Sequence, residues 1–183
     1  MLNKIIALIL FILTLPIFIL IYLFIKWLDP GPVLYWSERV GKSNKNFSMP
    51  KFRSMRFGTP VVATHLLKDS DSHIPPLGNF LRKTSLDELP QLLSIIKGDM
   101  VFVGPRPALF NQDDLIEQRT KALVHELKPG VTGWAQVNGR DEISIAQKVR
   151  LDREYYERKS YALDIKIIYL TFIKVILRKD VRH

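Results

Sequence analysis

Cysteine is absent from the 183 residues, so the chain can form neither a disulfide nor a thiolate metal site and has no cysteine nucleophile. Its four histidines include no H-x-x-x-H pair, and no Walker A or G-x-G-x-x-G pattern occurs. The sequence therefore gives no support for a histidine-based zinc site or for phosphate binding by a glycine-rich loop. The length is enough for one domain with an attachment, but not for two full domains.

Charge is absent from the segment Ile5 to Ile25. A continuous helix over these residues would be about 30 Å long, which matches the hydrocarbon thickness of a bilayer. Length alone predicts a helix that spans the membrane once. A cleaved signal peptide fits less well, because the apolar run is long and no small-x-small cleavage site follows it.

A proline near the middle of this segment suggests a second arrangement. Pro16 removes one backbone hydrogen bond and should bend or break the helix, and Thr14 can hydrogen-bond back to the freed carbonyls. Lys4 and Lys26 flank the run on both sides, so the charges show little inside-positive contrast. A re-entrant helix–break–helix that dips into one leaflet, with both ends in the cytoplasm, accounts for the proline and the charges. The residues favour this arrangement slightly and leave the spanning one open.

Acidic residues are too few to balance the basic ones, since 27 lysines and arginines face 18 aspartates and glutamates and the formal net charge is +9. Such a charge suits partners that carry phosphate. The basic residues are dense between Lys26 and Gly58, directly after the apolar segment. This position favours a membrane surface over nucleic acid as the anionic partner.

The remaining chain has the periodicity of an α+β domain. Strands are predicted from apolar runs, and helices from 3.6-residue spacing. The predicted strands are 33–36, 47–55 and 101–103, and the predicted helices are 85–97, 113–127 and 143–159. The proline-containing stretch from residue 59 to 78 is predicted to be irregular. We therefore expect a membrane helix in residues 1–28 and a small, mostly helical domain with short strands, on the cytosolic face of the membrane, in residues 29–183.

The last predicted helix, residues 164–177, is amphipathic. On a helical wheel most of its apolar side chains fall on one side and its charged side chains on the other, with Ile167, Leu170 and Leu177 intruding. The pattern fits a helix that lies in the membrane interface. It fits a helix packed on the protein core equally well.

Two adjacent carboxylates, Asp87 and Glu88, are the strongest candidates for chemistry. Ser85-x-x-Glu88 has the form of a capping box, which would give Glu88 a purely structural role. A carboxylate at a helix N-terminus also stays ionised beside N–H groups that accept a phosphate, so Asp87 could attack phosphorus and form an acyl phosphate. Glu88 would then hold Mg²⁺, together with Asp87, and the ion would neutralise the charge of a diphosphate.

Several cations could bind phosphate oxygens. Arg106 lies between Pro105 and Pro107, where a rigid loop would make it a fixed clamp. Lys51 and Arg53 alternate with apolar residues, as on a strand that places both cations on one face. Arg82 lies just before the two carboxylates. Each of these cations could instead be an ordinary solvated charge.

A series of motifs, spread over nearly the whole chain, occurs in the order found in the bacterial sugar transferase family. They are Pro30-Gly31-Pro32-Val33, Arg39-Val40-Gly41, Lys51-Phe52-Arg53-Ser54-Met55, Leu81-Arg82-Lys83-Thr84-Ser85-Leu86-Asp87-Glu88-Leu89-Pro90-Gln91, Gly98-Asp99-Met100, Val103-Gly104-Pro105-Arg106-Pro107, Pro129-Gly130-Val131-Thr132-Gly133-Trp134 and Asn138-Gly139-Arg140. The chain resembles the small monotopic phosphoglycosyl transferases of this family.

The resemblance implies an enzyme of the cytoplasmic face of the bacterial inner membrane, with a re-entrant membrane helix and a dependence on Mg²⁺. Asp87 and Glu88 match the family's Asp-Glu dyad, and Arg82 and Arg106 look like its phosphate-contacting arginines. The implied reaction transfers a sugar 1-phosphate from a UDP-sugar to undecaprenyl phosphate. It proceeds through a covalent intermediate on Asp87, releases UMP, and is the first membrane step in the assembly of a bacterial glycan.

Two residues depart from the family pattern: Leu15 precedes Pro16 where many members carry Ser-Pro in the membrane helix, and Ser37 replaces a glutamine often found near the Arg-Val-Gly segment. An alternative from another functional class is a membrane-tethered scaffold that binds anionic lipid through the basic stretch. That alternative explains the charge and the apolar segment, but it gives no role to Asp87, Glu88 or Arg106.

Overall fold

The computed structural model describes residues 1–56, 58–59, 73–139 and 143–176. Its helices and strands, in chain order, are α1 (Leu2–Leu28), β1 (Leu34–Val40), β2 (Asn46–Phe52), α2 (Pro76–Lys83), α3 (Gln91–Lys97), β3 (Val101–Val103), α4 (Asp113–Lys121), β4 (Gly130–Thr132), α5 (Trp134–Asn138), α6 (Ile145–Arg158) and α7 (Tyr161–Ile176). Short 3-10 turns lie at Lys42–Asn44, Leu86–Glu88 and Val124–Glu126. The fold is the predicted mixture of helices with a few short strands.

The strands form two small sheets. β1 and β2 are antiparallel and pair from Leu34 with Phe52 to Val40 with Asn46, while β3 and β4 are parallel. β1 runs through Arg39 and Val40, beyond the predicted end of the strand at residue 36. The prediction ended the strand at Trp36 because the apolar run ends there, whereas pairing with β2 continues the strand through its polar residues.

One narrow stripe of α1 packs against the rest of the protein. Ala7, Ile21 and Ile25 are buried on it, and the partly buried Phe11 and Phe18 lie between them. Steps of three and four residues keep this stripe on one side of a helix. Most other α1 side chains are apolar and exposed, and the helix is long and apolar enough to cross a membrane by length and composition.

Both ends of α1 contact the same domain. At its start the Asn3 side chain accepts a hydrogen bond from the Phe102 amide (3.3 Å), and Lys4 Nζ donates to the Lys97 carbonyl (3.0 Å). At its end Ile25 packs in a cluster with Val33, Phe52 and Leu81. The helix therefore lies along the domain from its first turn to its last.

The helix continues through Pro16 without the predicted separation into two helices. The Thr14 hydroxyl donates to the Leu10 carbonyl (2.7 Å), four residues back. The carbonyl that loses its helical partner to Pro16 is that of Ile12, so this hydroxyl does not replace the missing bond. Thr14 lies on the partly buried stripe between Phe11 and Phe18.

The prediction of one helix over residues 85–97 is wrong at its start. Ser85 has φ 57° and makes no side-chain capping bond, the 3-10 turn Leu86–Glu88 follows, and α3 begins only at Gln91. Pro90 has no N–H to donate to the Leu86 carbonyl, so the Leu89 amide bonds it instead and closes a tighter turn. Asp87 therefore lies in a turn rather than at the N-terminus of an α-helix.

Other boundaries differ in smaller ways. α4 ends at Lys121, and a residue with positive φ, Leu123, separates it from the 3-10 turn within the predicted 113–127 helix. α6 begins at Ile145, and the side chain of its N-cap residue Ser144 forms a capping box with Gln147. α2 was not predicted; it begins at Pro76, within the stretch that was expected to be irregular.

One face of α7 packs on the core, as one of the two interpretations of the last helix predicts, while its place in a membrane interface stays a prediction. Leu163, Ile167 and Leu170 pack with Val103 and Tyr155 in the core. The opposite face exposes a row of large apolar side chains: Ile165, Ile168, Tyr169 and Phe172. Ile167 and Leu170, which intruded on the predicted polar side, contact the core. The predicted end of the helix at Leu177, like Arg140 of the last motif, lies outside the described residues.

Candidate active site

Glu88 is held between two cations from different parts of the chain. Its Oε1 accepts from Lys51 Nζ of β2 (2.8 Å) and from Arg106 Nη2 of the loop after β3 (3.1 Å). Burial alone would raise the pKa of Glu88, but the two cations outweigh it and hold the pKa well below its usual range. Glu88 is therefore ionised at neutral pH and fixed in position, and it does not form the capping box that its spacing with Ser85 suggested.

Asp87 is buried beside this ion pair, with only 7% of its surface exposed. Burial raises the pKa of its carboxyl group from 3.8 to about 6, and the negative charge of Glu88 adds to this. Lys51, Arg82 and Arg106 act in the opposite direction. At neutral pH the group is ionised, but its anion is far less stabilised than that of an exposed carboxylate. The ionised Asp87 carboxylate is therefore stabilised when a positively charged atom comes into contact with it.

Arg82 reaches the site from the last turn of α2. Burial lowers the pKa of its guanidinium, and the attraction of Asp87 partly restores it. The structure therefore brings together five of the six residues that the sequence analysis assigned to chemistry or phosphate binding: Lys51, Arg82, Asp87, Glu88 and Arg106.

Arg53 is the residue that the structure does not bring to this cluster. Its guanidinium forms an ion pair with the Asp29 carboxylate (3.2 Å) and bonds the Asp29 backbone carbonyl. A Cβ on Gly31, which has φ 142°, would lie 2.6 Å from Arg53 Nη1. The Pro30-Gly31-Pro32 turn thus lies directly against the arginine, and Arg53 connects the end of α1 to the start of the domain.

The loop that carries Arg106 is fixed by close backbone contacts. A Cβ on Gly130 would lie 2.1 Å from the Gly104 nitrogen, so the two chains can approach this closely only without side chains. The Arg106 carbonyl accepts from Arg119 Nη1 (2.8 Å). Arg119 is itself held by the buried Asp152, to which its Nε and Nη2 donate (3.0 and 2.6 Å).

Arg39, which was not among the predicted site residues, also lies at this site. Its Nε donates to the buried Ser37 hydroxyl (2.9 Å) and its Nη1 to the Pro107 carbonyl (3.2 Å). Burial and then the nearby Arg106 lower the pKa of Arg39 to about 10, and the attraction of Glu88 opposes them. The Arg-Val-Gly motif contained the signal, since Ser37 and Arg39 point to one face of β1. Ser37, one of the two departures from the family pattern, supports this arginine.

A cavity of about 230 Å³ lies beside Glu88 and Arg106. Its wall is mostly apolar and includes Leu89, Leu92, Val131 and other residues from β3, α5 and α7. Asp87 does not line it. Glu88 therefore lies between the cations and an apolar cavity.

The charges of this site suit a diphosphate. Lys51, Arg82, Arg106 and Arg39 face only two carboxylates, so positive charge is in excess where an anionic substrate would bind. A buried carboxylate next to arginines is also a competent nucleophile toward phosphorus, because the arginines offset the repulsion between the two anions.

The described ranges contain no group of three or more His, Asp or Glu side chains that could hold a metal ion. Asp87 and Glu88 are adjacent in the chain and coupled electrostatically. They are thus the two carboxylates at this site that a hard cation could use.

The sequence model for bacterial sugar transferases matches residues 1–178. The chain is 37% identical, over 97% of its length, to the UDP-glucose:undecaprenyl-phosphate glucose-1-phosphate transferase of Escherichia coli K12, of which it spans 40%. It is 39% identical, over 88% of its length, to the undecaprenyl-phosphate galactose phosphotransferase of Salmonella typhimurium LT2, of which it spans 37%. It is 41% identical, over 84% of its length, to the uncharacterized sugar transferase EpsL of Bacillus subtilis 168, of which it spans 74%.

The family match includes the Asp87–Glu88 turn, the Arg106 loop and the apolar helix α1 in one continuous region. The chain belongs to the bacterial sugar transferase family.

Proposed function

We propose that this protein transfers a sugar 1-phosphate from a UDP-sugar to undecaprenyl phosphate, as the first membrane step of a bacterial glycan pathway. The names of its relatives describe UDP-glucose:undecaprenyl-phosphate and undecaprenyl-phosphate galactose transferases. The observation that carries the proposal is the buried Asp87, at the centre of Lys51, Arg82 and Arg106 and beside the fixed anion of Glu88. That arrangement suits transfer of phosphorus better than any other chemistry at the site.

The proposed reaction has two steps. A carboxylate oxygen of Asp87 attacks the phosphorus that bears the sugar, the bond from this phosphorus to the UMP oxygen breaks, and UMP leaves with the electron pair. A phosphate oxygen of the lipid acceptor then attacks the same phosphorus, and the electron pair of the breaking bond returns to Asp87. Arg82 and Arg106 hold the phosphate oxygens in both steps, and Lys51 keeps Glu88 in place.

Mg²⁺ fits this site through Asp87 and Glu88. Magnesium usually takes one or two carboxylates from the protein and completes its shell with phosphate oxygens and water, so a three-residue cluster is not needed. The raised pKa of Asp87 is a second argument, since a buried anion next to another anion gains from a cation. When bound, the ion would supply charge neutralisation between the diphosphate and the carboxylates.

The direct test uses a UDP-sugar that carries its radiolabel in the sugar. Without acceptor, the protein should retain label through denaturation and release UMP; undecaprenyl phosphate should then remove the label. EDTA should prevent labelling and Mg²⁺ should restore it. Release of UDP instead of UMP would place the protein in another reaction class. A protein that is never labelled would instead fit the scaffold alternative.

We also propose that α1, as one helix that bends at Pro16 without breaking, enters one leaflet and returns to the cytoplasmic side of the inner membrane instead of crossing it. A spanning helix separates its ends by the full hydrocarbon thickness of about 30 Å. The contacts of Lys4 with Lys97 and of Ile25 with Phe52 attach both ends of α1 to one domain, which supports the re-entrant arrangement. The exposed apolar side chains of α1 and α7 would then face lipid.

Single cysteines test this arrangement cleanly, because the natural chain has none. Leu2→Cys places a thiol at the exposed start of α1, and Lys45→Cys places one on the exposed β1–β2 connection as a cytoplasmic control. Leu2 is preferred to Asn3, whose side chain bonds Phe102. Both thiols should resist an impermeant reagent in intact cells and react after lysis. Reaction of Leu2→Cys alone in intact cells would establish a spanning helix.

A further inference from the structure

The cavity beside Glu88 extends from the 3-10 turn Leu86–Glu88 to the end of α7. Ser85, Glu88 and Arg106 line one part of it, and Thr171, Lys174 and Val175 line another. Leu89, Leu92, Phe102, Val131 and Val137 form much of the wall between them. An occupant would therefore have a charged group near Arg106 and an apolar body.

Most of the threonine and amide groups in the wall already have hydrogen-bond partners. The Thr132 and Thr171 hydroxyls share a hydrogen bond (2.7 Å), and Thr171 also donates to the Ile167 carbonyl. The Gln136 amide nitrogen donates to the Val131 carbonyl (3.1 Å), which leaves the buried Gln136 amide oxygen as the exception, without a partner among the described residues. A uracil and ribose would need several polar partners when buried, whereas a hydrocarbon chain needs none.

The cavity adjoins the buried packing beneath α1 on one side and the exposed apolar face of α7 on the other. Leu92 belongs to the same buried cluster as Ala7 of α1, and Phe102 and Val131 pack against that cluster. On α7, at 100° per residue, Val175 lies between Thr171 and the exposed Ile168. A lipid chain could thus pass between the cavity and the apolar surface without crossing a polar region.

We infer that this cavity binds the first isoprene units of the polyprenyl phosphate acceptor, with the phosphate of the acceptor at Arg106. The inference rests on the proposed function and assigns a binding site to the lipid acceptor, which is the second substrate of that reaction. The volume of 230 Å³ corresponds to about eight water-sized groups, which is the size of one or two five-carbon units and far less than a whole polyprenyl chain. The rest of the chain would remain in the lipid.

This position is consistent with the chemistry of the second step. The acceptor phosphate enters as a dianion, so no proton has to be removed from the attacking oxygen. The new phosphorus–oxygen bond forms as the bond from phosphorus to Asp87 breaks, and the carboxylate is regenerated. Binding the acceptor on the Glu88 side places it next to the phosphorylated Asp87 without displacing the cations around the carboxylates.

Val175→Phe tests the inference, because it fills the cavity from α7 without touching the carboxylates. Reducing a pocket by a few carbon atoms typically changes apparent affinity about tenfold or more, so the KM for undecaprenyl phosphate should rise by about that factor. Covalent labelling by the UDP-sugar should be retained, which also reports that the variant is folded.

Val175→Leu is a smaller change and should raise the KM less; it replaces Val175→Phe as the test if labelling is lost with the larger residue. Ile165→Phe, on the exposed face of the same helix, is the matched control and should change neither quantity.

The outcomes separate the two proposals. If wild-type protein is never labelled, the proposed function fails. If the wild type is labelled and both Val175 variants use undecaprenyl phosphate with an unchanged KM, the proposed function stands and the cavity is not the acceptor site. If both variants instead raise the KM for the UDP-sugar and leave that for the acceptor unchanged, the cavity holds the nucleotide and the inference is wrong.

Discussion

Replacing Asp87 by asparagine should abolish both covalent labelling and UMP release. The amide has nearly the shape of the carboxylic acid but lacks the anionic oxygen that attacks phosphorus. Removal of a nucleophile commonly reduces turnover by about 10⁴-fold or more, so no label should be detectable above background. Asp114→Asn, an exposed aspartate on α4, is the matched control and should label normally. Normal labelling of Asp87→Asn would end the proposal that Asp87 is the nucleophile.

The same substitution should stabilise the folded protein at alkaline pH. The folded pKa of Asp87 is about 6, above its ordinary value of 3.8, so the folded state holds this proton more tightly than the unfolded state. The free energy of unfolding falls as pH rises from 3.8 to about 6, and above that pH the ionised Asp87 lowers it by about 3 kcal/mol. Asparagine resembles the protonated acid and avoids that cost.

Denaturant unfolding in detergent, without divalent cation or substrate, measures this effect. Asp87→Asn should exceed wild type in the free energy of unfolding by up to about 3 kcal/mol near pH 8, and the difference should disappear near pH 4. Asp114→Asn should show no such gain. Equal stability of Asp87→Asn and wild type at both pH values would mean that the folded site bears no uncompensated anion at residue 87.

Local patterns predicted the parts of this fold that depend on nearby residues. The apolar segment became α1, the amphipathic pattern became α7, and the run Val101–Val103 became β3. The same approach failed at residues 85–90, because the spacing of leucines and the capping-box form suggest a helix that Pro90 prevents. A periodic pattern records which side chains face the core, but not whether each backbone donor is present.

The candidate site was predictable only as a set of residue types. Asp87 and Glu88 were found because two adjacent carboxylates follow cations in sequence, and Arg106 because two prolines fix it. Arg39 and Arg53 show what was not predictable. Lys51 and Arg53 were expected to act together, yet Arg53 pairs with Asp29, while Arg39 lies near Glu88 through contacts with Pro107. Such pairings join residues far apart in the chain, and periodicity contains no information about them.

Replacing Asp152 by alanine should strongly destabilise the protein. Asp152 and Arg119 form an ion pair whose side chains are only 1% and 9% exposed. Loss of one partner leaves the other charge buried without compensation, which typically costs about 3–5 kcal/mol. For a domain of this size that corresponds to a fall in melting temperature of roughly 10 °C. Glu117→Ala is the control, because it breaks the solvent-exposed ion pair with Lys121 and should have little effect.

A double variant separates stability from activity. Arg119→Met with Asp152→Leu replaces the buried pair by apolar side chains and should recover most of the lost stability. It cannot restore the hydrogen bond from Arg119 to the Arg106 carbonyl, so the loop that presents Arg106 to the phosphates loses one of its supports. Labelling should therefore remain slower than in wild type although the protein is folded, and the KM for the UDP-sugar should rise. A double variant that is both stable and fully active would show that the ion pair serves the fold alone, and that the glycine contacts of Gly104 and Gly130 suffice to position Arg106.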